Sequence, residues 1–84
     1  MPIPKKLSKT TQAKINWLRE NGGFMEVVKG SKRHYTAVVR LAEGKASEEA
    51  IVNDVERVVK AIKFPAEALE EIRMAVAQSV LKAA

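Results

Sequence analysis

The stretch FMEVVKGSKRHYTAVVRL, residues 24–41, decides how the chain is expected to fold. It is rich in valine and also holds phenylalanine, tyrosine and threonine, residue types that favour strands. Gly30 and Ser31 divide it into two runs, with glycine at the first central position of a type II′ turn. The stretch therefore predicts an antiparallel β-hairpin of strands 24–29 and 32–41.

The two faces of this hairpin differ in polarity. Side chains alternate between the faces of a strand, so the turn fixes which residues face the core. The face predicted to be buried consists of Phe24, Val28, Tyr35, Ala37, Val39 and Leu41. A two-stranded sheet is marginally stable by itself, so helices are expected to cover this face. The open valine-rich edge predicts a homodimer formed through the hairpin edge.

A helix is predicted before the hairpin. Ser8 or Thr10 is expected to cap its start, because short hydroxyl side chains bond the first free backbone amides of a helix. The apolar positions in it form only a thin stripe. The helix should run to about Glu20, since Gly22 and Gly23 follow and glycine is favoured at helix ends.

Two further helices are predicted after the hairpin. Ser47 is a good N-cap for a helix that runs to about Lys63, with apolar residues recurring at helical spacing. Pro65 then breaks this helix and fits the first turn of the last one. The fold class is therefore α+β, in the order α-β-β-α-α, with the antiparallel hairpin covered on one face by helices. Residues 1–84 make one small domain, in which residues 1–7 form an extended basic arm.

The net charge of +5 is unevenly distributed along the chain. Residues 1–40 hold nine Lys or Arg against two Glu, a balance of +7. Residues 41–84 hold six basic against eight acidic residues, a balance of −2. Such asymmetry predicts a basic surface on one side of the molecule, suited to phosphate groups or to an acidic protein.

Several functional classes lack their characteristic residues. The chain has no cysteine and a single histidine, so we predict no disulfide, no metal site and no cofactor. No serine has a neighbouring base, and no glycine-rich phosphate loop precedes a helix, so the protein is not expected to be an enzyme. No apolar run approaches the roughly 20 residues that span a bilayer. We therefore expect a cytoplasmic protein without a membrane partner.

The second half of the chain resembles a known family. The similarity begins with Tyr35-Thr-Ala-Val-Val-Arg-Leu, continues through the helix after Ser47, and is most specific over Leu69–Val80. In these segments the chain is similar to the start of anti-sigma-factor serine kinases, of the histidine-kinase-like ATPase superfamily. The resemblance implies a strand, a helix, a short break and a second helix, and a relative that binds a protein partner.

The catalytic residues of that family are replaced here. The resemblance places the family's acidic residue at Gln78 and its metal-binding asparagine at Lys82. A glutamine cannot serve as a general base, and a lysine cannot ligate Mg²⁺. The family's glycine-rich nucleotide-binding segments are also missing, so ATP binding and kinase activity are not implied.

Three functions remain open. The leading hypothesis is a non-enzymatic regulatory protein-binding module. An alternative is a nucleic-acid-binding module that uses the basic hairpin 29–40 and the N-terminal arm, and another is a small structural subunit of a larger complex. The candidate partner-binding residues are Trp17, Lys29, Lys32, Arg33, His34, Tyr35 and Arg40.

Overall fold

Residues 3–83 fold into five helices. The structure, a computed structural model, describes residues 3–83 and the side chains of residues 3–81. The helices are α1 (Lys9–Asn21), α2 (Phe24–Ser31), α3 (Tyr35–Ala42), α4 (Glu49–Ala61) and α5 (Ala66–Ala83). Within residues 3–83 the β-type pairing is limited to an isolated antiparallel bridge between Lys5 and Ser47. The predicted α+β class is therefore wrong, and the fold is all-helical.

The stretch that was predicted to form a hairpin forms α2 and α3 instead. The residues that it buries recur at helical spacings of three and four: Phe24, Val27, Val28 and Ser31 in α2, and Val38, Leu41 and Ala42 in α3. Tyr35, assigned to the buried strand face, is half exposed. Packing on the other helices overrides the strand preference of these side chains. A homodimer was predicted to form through the edge of the hairpin. Residues 3–83 contain no hairpin and therefore no such edge.

The predicted turn lies within α2. Gly30 and Ser31 form the last turn of that helix, and the chain reverses one residue later, at Lys32. A Cβ on Gly30 would lie 3.1 Å from a methyl carbon of Val58. Glycine at this position therefore lets the end of α2 approach α4 closely, and its role is in helix packing.

The core lies where α1, α2, α3 and α4 meet. α2 packs mainly on α4, α3 packs on α1, α2 and α4, and α5 packs on α1 alone. The largest fully buried side chains are Ile15, Val27, Val38, Leu41, Val52, Val55 and Val59. Three of them come from α4, whose periodicity was the clearest in the sequence, so the prediction of that helix is confirmed.

The helix starts agree only in part with the predicted caps. Ser8 caps α1 as expected, since its Oγ accepts a hydrogen bond from the N–H of Thr11 at 3.2 Å. Ser47 does not cap α4, because Glu48 occupies the N-cap position. The backbone N–H and C=O of Ser47 instead bond those of Lys5, both at 2.8 Å.

The N-terminal segment from Ile3 to Leu7 is extended and lies along α4. Its backbone is held by the bridge at Lys5, whose Nζ also donates to Asn53 Oδ1 at 3.0 Å. Leu7 is buried in the core. Residues 1 and 2 of the predicted arm lie outside the described residues.

Glu56 on α4 fastens the start of α1 to α4. Its carboxylate accepts hydrogen bonds from the N–H of Ser8 at 2.8 Å and from the hydroxyl of Thr11 at 2.6 Å. Burial alone would raise the pKa of Glu56. The two hydrogen bonds and the charge of Lys60, 3.8 Å away, outweigh it and hold the pKa below its usual value.

We predict that Glu56→Gln lowers the free energy of unfolding by about 1–2 kcal/mol at pH 7, because the two hydrogen bonds go to different carboxylate oxygens and an amide offers one acceptor oxygen. Since the pKa of the carboxyl is lowered on folding, its contribution is complete above the unfolded pKa. That contribution is lost as the pH falls through the folded pKa.

Urea unfolding followed by circular dichroism at a series of pH values measures both effects. The variant should lose less stability than the wild type as the solution is acidified below about pH 4.5, the ordinary pKa of a glutamate. Glu67→Gln, an exposed change of the same kind, is the control. Equal acid sensitivity of wild type and Glu56→Gln would contradict the role given to Glu56.

Candidate nucleic-acid interface

α2 and α3 form a compact two-helix unit. Each helix has eight residues, and three residues, Lys32 to His34, join them. The α2 side of the unit packs on α4, and the buried face of α3 packs on α1 and α4. The turn and the outer face of α3 are thereby left at the surface.

Lys32 has an unusual backbone conformation. Its φ is +57° and its ψ is 31°, the left-handed region, and within residues 3–83 it is the one residue other than glycine with a positive φ. This conformation costs a residue with a Cβ roughly 1 kcal/mol, and glycine is the usual occupant. The side chain of Lys32 is exposed to solvent.

Arg33 fixes the turn to α4. Its Nε and one terminal nitrogen lie 2.9 and 2.7 Å from Oδ2 of Asp54. A guanidinium nitrogen of Arg57 lies 3.6 Å from Oδ1 of the same carboxylate. The hydrogen bond from Arg33, aided by the charges of both arginines, holds the pKa of Asp54 below its usual value. Two cations therefore share one anion, which leaves this cluster positive.

The outer face of α3 is exposed and begins at the turn. Tyr35, Thr36 and Arg40 lie on this face, with Thr36 and Arg40 one helical turn apart. The ring of Tyr35 packs edge-on against Phe24, with ring centroids 5.5 Å apart. The aromatic contact fixes the tyrosine, while the threonine and the arginine point away from the core.

A basic strip continues from the turn along α4 to the N-terminal segment. Arg57, beside Asp54, also lines a groove of about 650 Å³ together with Lys5, Lys6 and Lys60. We define the basic strip as Lys5, Lys6, Lys32, Arg33, Arg57 and Lys60. The carboxylates within it are those of Asp54 and Glu56, and both already accept hydrogen bonds. Six cations against two anions leave a net charge of +4.

Most of the predicted partner-binding residues lie together. Lys29, Lys32, Arg33, His34 and Tyr35 surround the turn between α2 and α3. Arg40 lies on the exposed side of α3, about 7–8 Å along the helix from Tyr35 at 1.5 Å per residue.

Trp17 lies apart from this cluster. It is half buried, and its Nε1 donates to Glu71 Oε2 at 2.7 Å, which joins α1 to α5. Its ring contacts Phe64 edge-on, with centroids 5.8 Å apart. Trp17 is thus a contact between helices of this fold.

Arg57 and Lys60 were missed as site residues. Each of these cations lies one helical turn after a carboxylate of α4, Arg57 after Asp54 and Lys60 after Glu56. Both ion pairs form, at 3.6 and 3.8 Å. Their membership of a larger basic surface depends on the N-terminal segment packing beside them, which periodicity cannot indicate.

Comparisons of this chain with protein-family models, with curated proteins and with solved structures found no match. The resemblance to anti-sigma-factor kinases stays a prediction, although residues 35–41, where it implied a strand, belong to α3. Gln78 is exposed beside a groove between α1 and α5, and the side chain of Lys82 lies outside the described part of the chain.

Membrane-spanning helices and clusters of metal ligands are both absent from residues 3–83, the described part of the chain. Among them, no helix has both the length and the apolar character that a membrane span requires. Nor do they bring together three or more His, Cys, Asp or Glu side chains that could hold a metal ion.

We predict that Lys32→Gly raises the free energy of unfolding by about 0.5–1 kcal/mol, because it relieves the left-handed strain at the turn. In a domain of this size the change corresponds to a rise of roughly 2–8 °C in Tm. Lys29→Gly, in the helical backbone of α2, is the matched control and should lower stability by about 1 kcal/mol. Thermal unfolding of the three proteins distinguishes these outcomes, and equal losses in both variants would contradict the strain at Lys32.

Proposed function

We propose that this protein is a DNA-binding module that inserts α3 into the major groove and holds the phosphate backbone with the basic strip. The observation that carries the proposal is the junction of two features at the turn. The exposed outer face of α3 begins at the turn, where Arg33 and Arg57 of the basic strip share the carboxylate of Asp54.

The two-helix unit supports the choice of double-stranded DNA. Two helices joined by a turn of three or four residues form the helix-turn-helix motif, whose second helix lies in the major groove. α2, the turn and α3 have this arrangement of lengths. The side chains at the start of the second helix make the base contacts in such motifs. Here those positions are exposed and hold His34, Tyr35 and Thr36.

The basic strip supports the contacts to the backbone. Lys32 lies at the turn, and Lys5, Lys6 and Lys60 lie beyond Arg57 along the surface of α4. Phosphate contacts supply most of the non-specific affinity of DNA-binding proteins and set their orientation on the duplex. Arg33 serves mainly to fix the turn, because Asp54 already engages its guanidinium group.

The outer face of α3 offers groups that distinguish bases. The guanidinium group of Arg40 can donate two hydrogen bonds to one guanine, and the methyl and hydroxyl groups of Thr36 suit thymine or a base edge. Since the two residues are one helical turn apart, they face the same groove. Tyr35, held by Phe24, adds a rigid contact at the start of the helix.

Aromatic packing favours duplex DNA over single-stranded nucleic acid. Proteins that bind single strands stack successive bases on exposed aromatic rings. All four aromatic residues of this chain are engaged in pairs, Trp17 with Phe64 and Phe24 with Tyr35. The regulatory protein-binding hypothesis relied in part on Trp17 as an anchor, and its hydrogen bond to Glu71 removes that support.

In the proposed function the protein acts without catalysis, metal or cofactor. A cytoplasmic location is part of the proposal, since a chain without cysteine suits a reducing compartment and DNA is accessible there in cells without a nucleus. A regulatory role follows if α3 selects particular sequences.

The first test is the salt dependence of binding to a duplex of random sequence, measured by fluorescence anisotropy. With about four or five phosphate contacts, log Kd should change with log salt concentration with a slope of about 4. The double change Lys32→Gln and Lys60→Gln should reduce that slope by about 2, because it removes two phosphate contacts.

Lys14→Gln is the matched control. Lys14 lies over the Phe64 ring, 5.5 Å from its centroid, and is not one of the residues of the basic strip, so the slope should not change. Lys32→Gly should bind more weakly than the wild type even though it folds more stably, which separates binding from stability. Absence of binding at low salt, or an equal loss in the control, would refute the proposal.

The second test concerns the choice of sequence. Duplexes selected from a random pool with the wild-type protein should share a preferred base that Arg40→Gln no longer prefers. Loss of a bidentate contact costs about 1–3 kcal/mol at that base pair. Lys60→Gln, a phosphate contact, should weaken binding to all duplexes alike. If Arg40→Gln also weakens every duplex equally, α3 does not read the sequence.

A further inference from the structure

α5 contacts one other helix. It packs on α1 in the antiparallel direction, since Lys9 near the start of α1 bonds Ser79 at 3.3 Å and Trp17 near its end bonds Glu71 at 2.7 Å. Of the α5 side chains described, Ala68 and Ile72 are buried and Val76 is half buried. The remaining circumference of this 18-residue helix has no neighbour within residues 3–83.

The side of α5 that faces away from α1 is mainly apolar and includes one ion pair. We define the outer face of α5 as Leu69, Met74, Ala77, Val80 and Leu81, whose angular positions span roughly 140° at 100° per residue. Leu81 is 74% exposed, and the other large side chains of the face are about half exposed. The charged residues among them, Glu70 and Arg73, form an ion pair with each other. Exposed apolar surface of this kind is typical of a binding site.

We propose that a second copy of this chain covers the outer face of α5, with the two α5 helices antiparallel and crossing near Ala77. The methyl side chain of Ala77 lets the helices approach closely at the crossing. One turn on either side, Met74 and Val80 then pack against each other across the interface. A two-fold axis makes the same patch serve both copies, as in most homodimers.

The distribution of charge supports a second copy in this orientation. The first half of α5 holds Glu67, Glu70, Glu71 and Arg73, a net charge of −2, whereas its second half holds no acidic residue and one lysine, Lys82. The side chain of Lys9 lies beside that second half, at Ser79. A parallel pair would bring together two helix ends that each carry a net charge of −2, which is unfavourable. An antiparallel pair instead places each acidic end against the basic end of its partner.

The dimer leaves the proposed DNA-binding surface free. α5 makes no contact with α2, α3 or α4 in the described residues, so the turn and the outer face of α3 stay exposed. This step rests on the proposed function. If that function holds, the dimer presents two α3 helices related by a two-fold axis. Such a dimer binds a DNA site composed of two inverted half-sites.

Self-association is tested without DNA. A single helix pair buries less than a standard interface, so the wild type should dimerise with a Kd on the order of micromolar. Sedimentation equilibrium over a range of concentrations should detect this dimer, whereas the double change Met74→Glu and Leu81→Glu should give a monomer. Both side chains are exposed, so the circular dichroism spectrum should not change. Gln78→Glu, which adds charge on the flank that lines the groove with α1, is the control and should still dimerise.

The orientation is tested by cross-linking, for which the chain offers a background without cysteine. Ala77→Cys should form a disulfide-linked dimer on oxidation. Glu70→Cys should not. In each copy residue 70 lies seven residues, about 10.5 Å, from the crossing, and the two copies lie on opposite sides of it, so the two Cα atoms are about 21 Å apart. Disulfide bonds need Cα atoms within roughly 7 Å. A cross-link through position 70 would refute the antiparallel arrangement.

The outcomes separate this inference from the proposed function. A protein that stays monomeric at all concentrations, and that does not cross-link through position 77, overturns the dimer even if it binds DNA. A protein that dimerises as described but binds no duplex at low salt overturns the proposed function and leaves the dimer intact.

Discussion

The close approach of α2 to α4 is the constraint on which the other features depend. It is possible because Gly30 faces Val58, where an added Cβ would come within 3.1 Å. With α2 held at this distance, the turn after it lies beside α4, and Arg33 reaches Asp54. The start of α3 is fixed by the same contact. A larger residue at position 30 would require Val58 to shift by a few tenths of an ångström at the contact that holds α2 on α4.

The helices could be predicted from the sequence where the hydrophobic repeat is long. α4 repeats its apolar residues over more than three turns, and the prediction located it within about two residues of its observed end. Residues 24–41 hold helices of only eight residues, in which periods of 2 and 3.6 fit the same few apolar positions. Phe24, Val28 and Leu41 are buried under either pattern, but Val27 and Val38, assigned to the opposite strand face, are fully buried. Strand preference then favoured the wrong period.

The candidate site was predictable where its residues are neighbours in sequence. Lys29 to Tyr35 remain together in a hairpin turn or in a turn between helices, so the wrong secondary structure still grouped them at one place on the molecule. Arg57 joins that surface through Asp54, which Arg33 also contacts, and Lys60 joins it through the groove that Arg57 shares with the N-terminal segment. Likewise, Trp17 contacts Glu71 across 54 residues of chain. Contacts between distant segments of this kind leave no periodic signal in a single sequence.

The fold brings the unevenly distributed charges of the sequence to separate parts of the surface. The basic first half supplies the N-terminal segment and the turn, which meet on the exposed side of α4, while three glutamates lie at the start of α5. If DNA binds as proposed, the acidic start of α5 repels the phosphate backbone and favours one orientation of the protein on the duplex. Lys32 lies at the point where the basic strip meets α3. Its left-handed conformation ends α2 and turns the chain towards α3, a position that glycine usually occupies. A lysine there costs stability that a glycine would not, and under the proposal it adds a cation for the phosphate backbone.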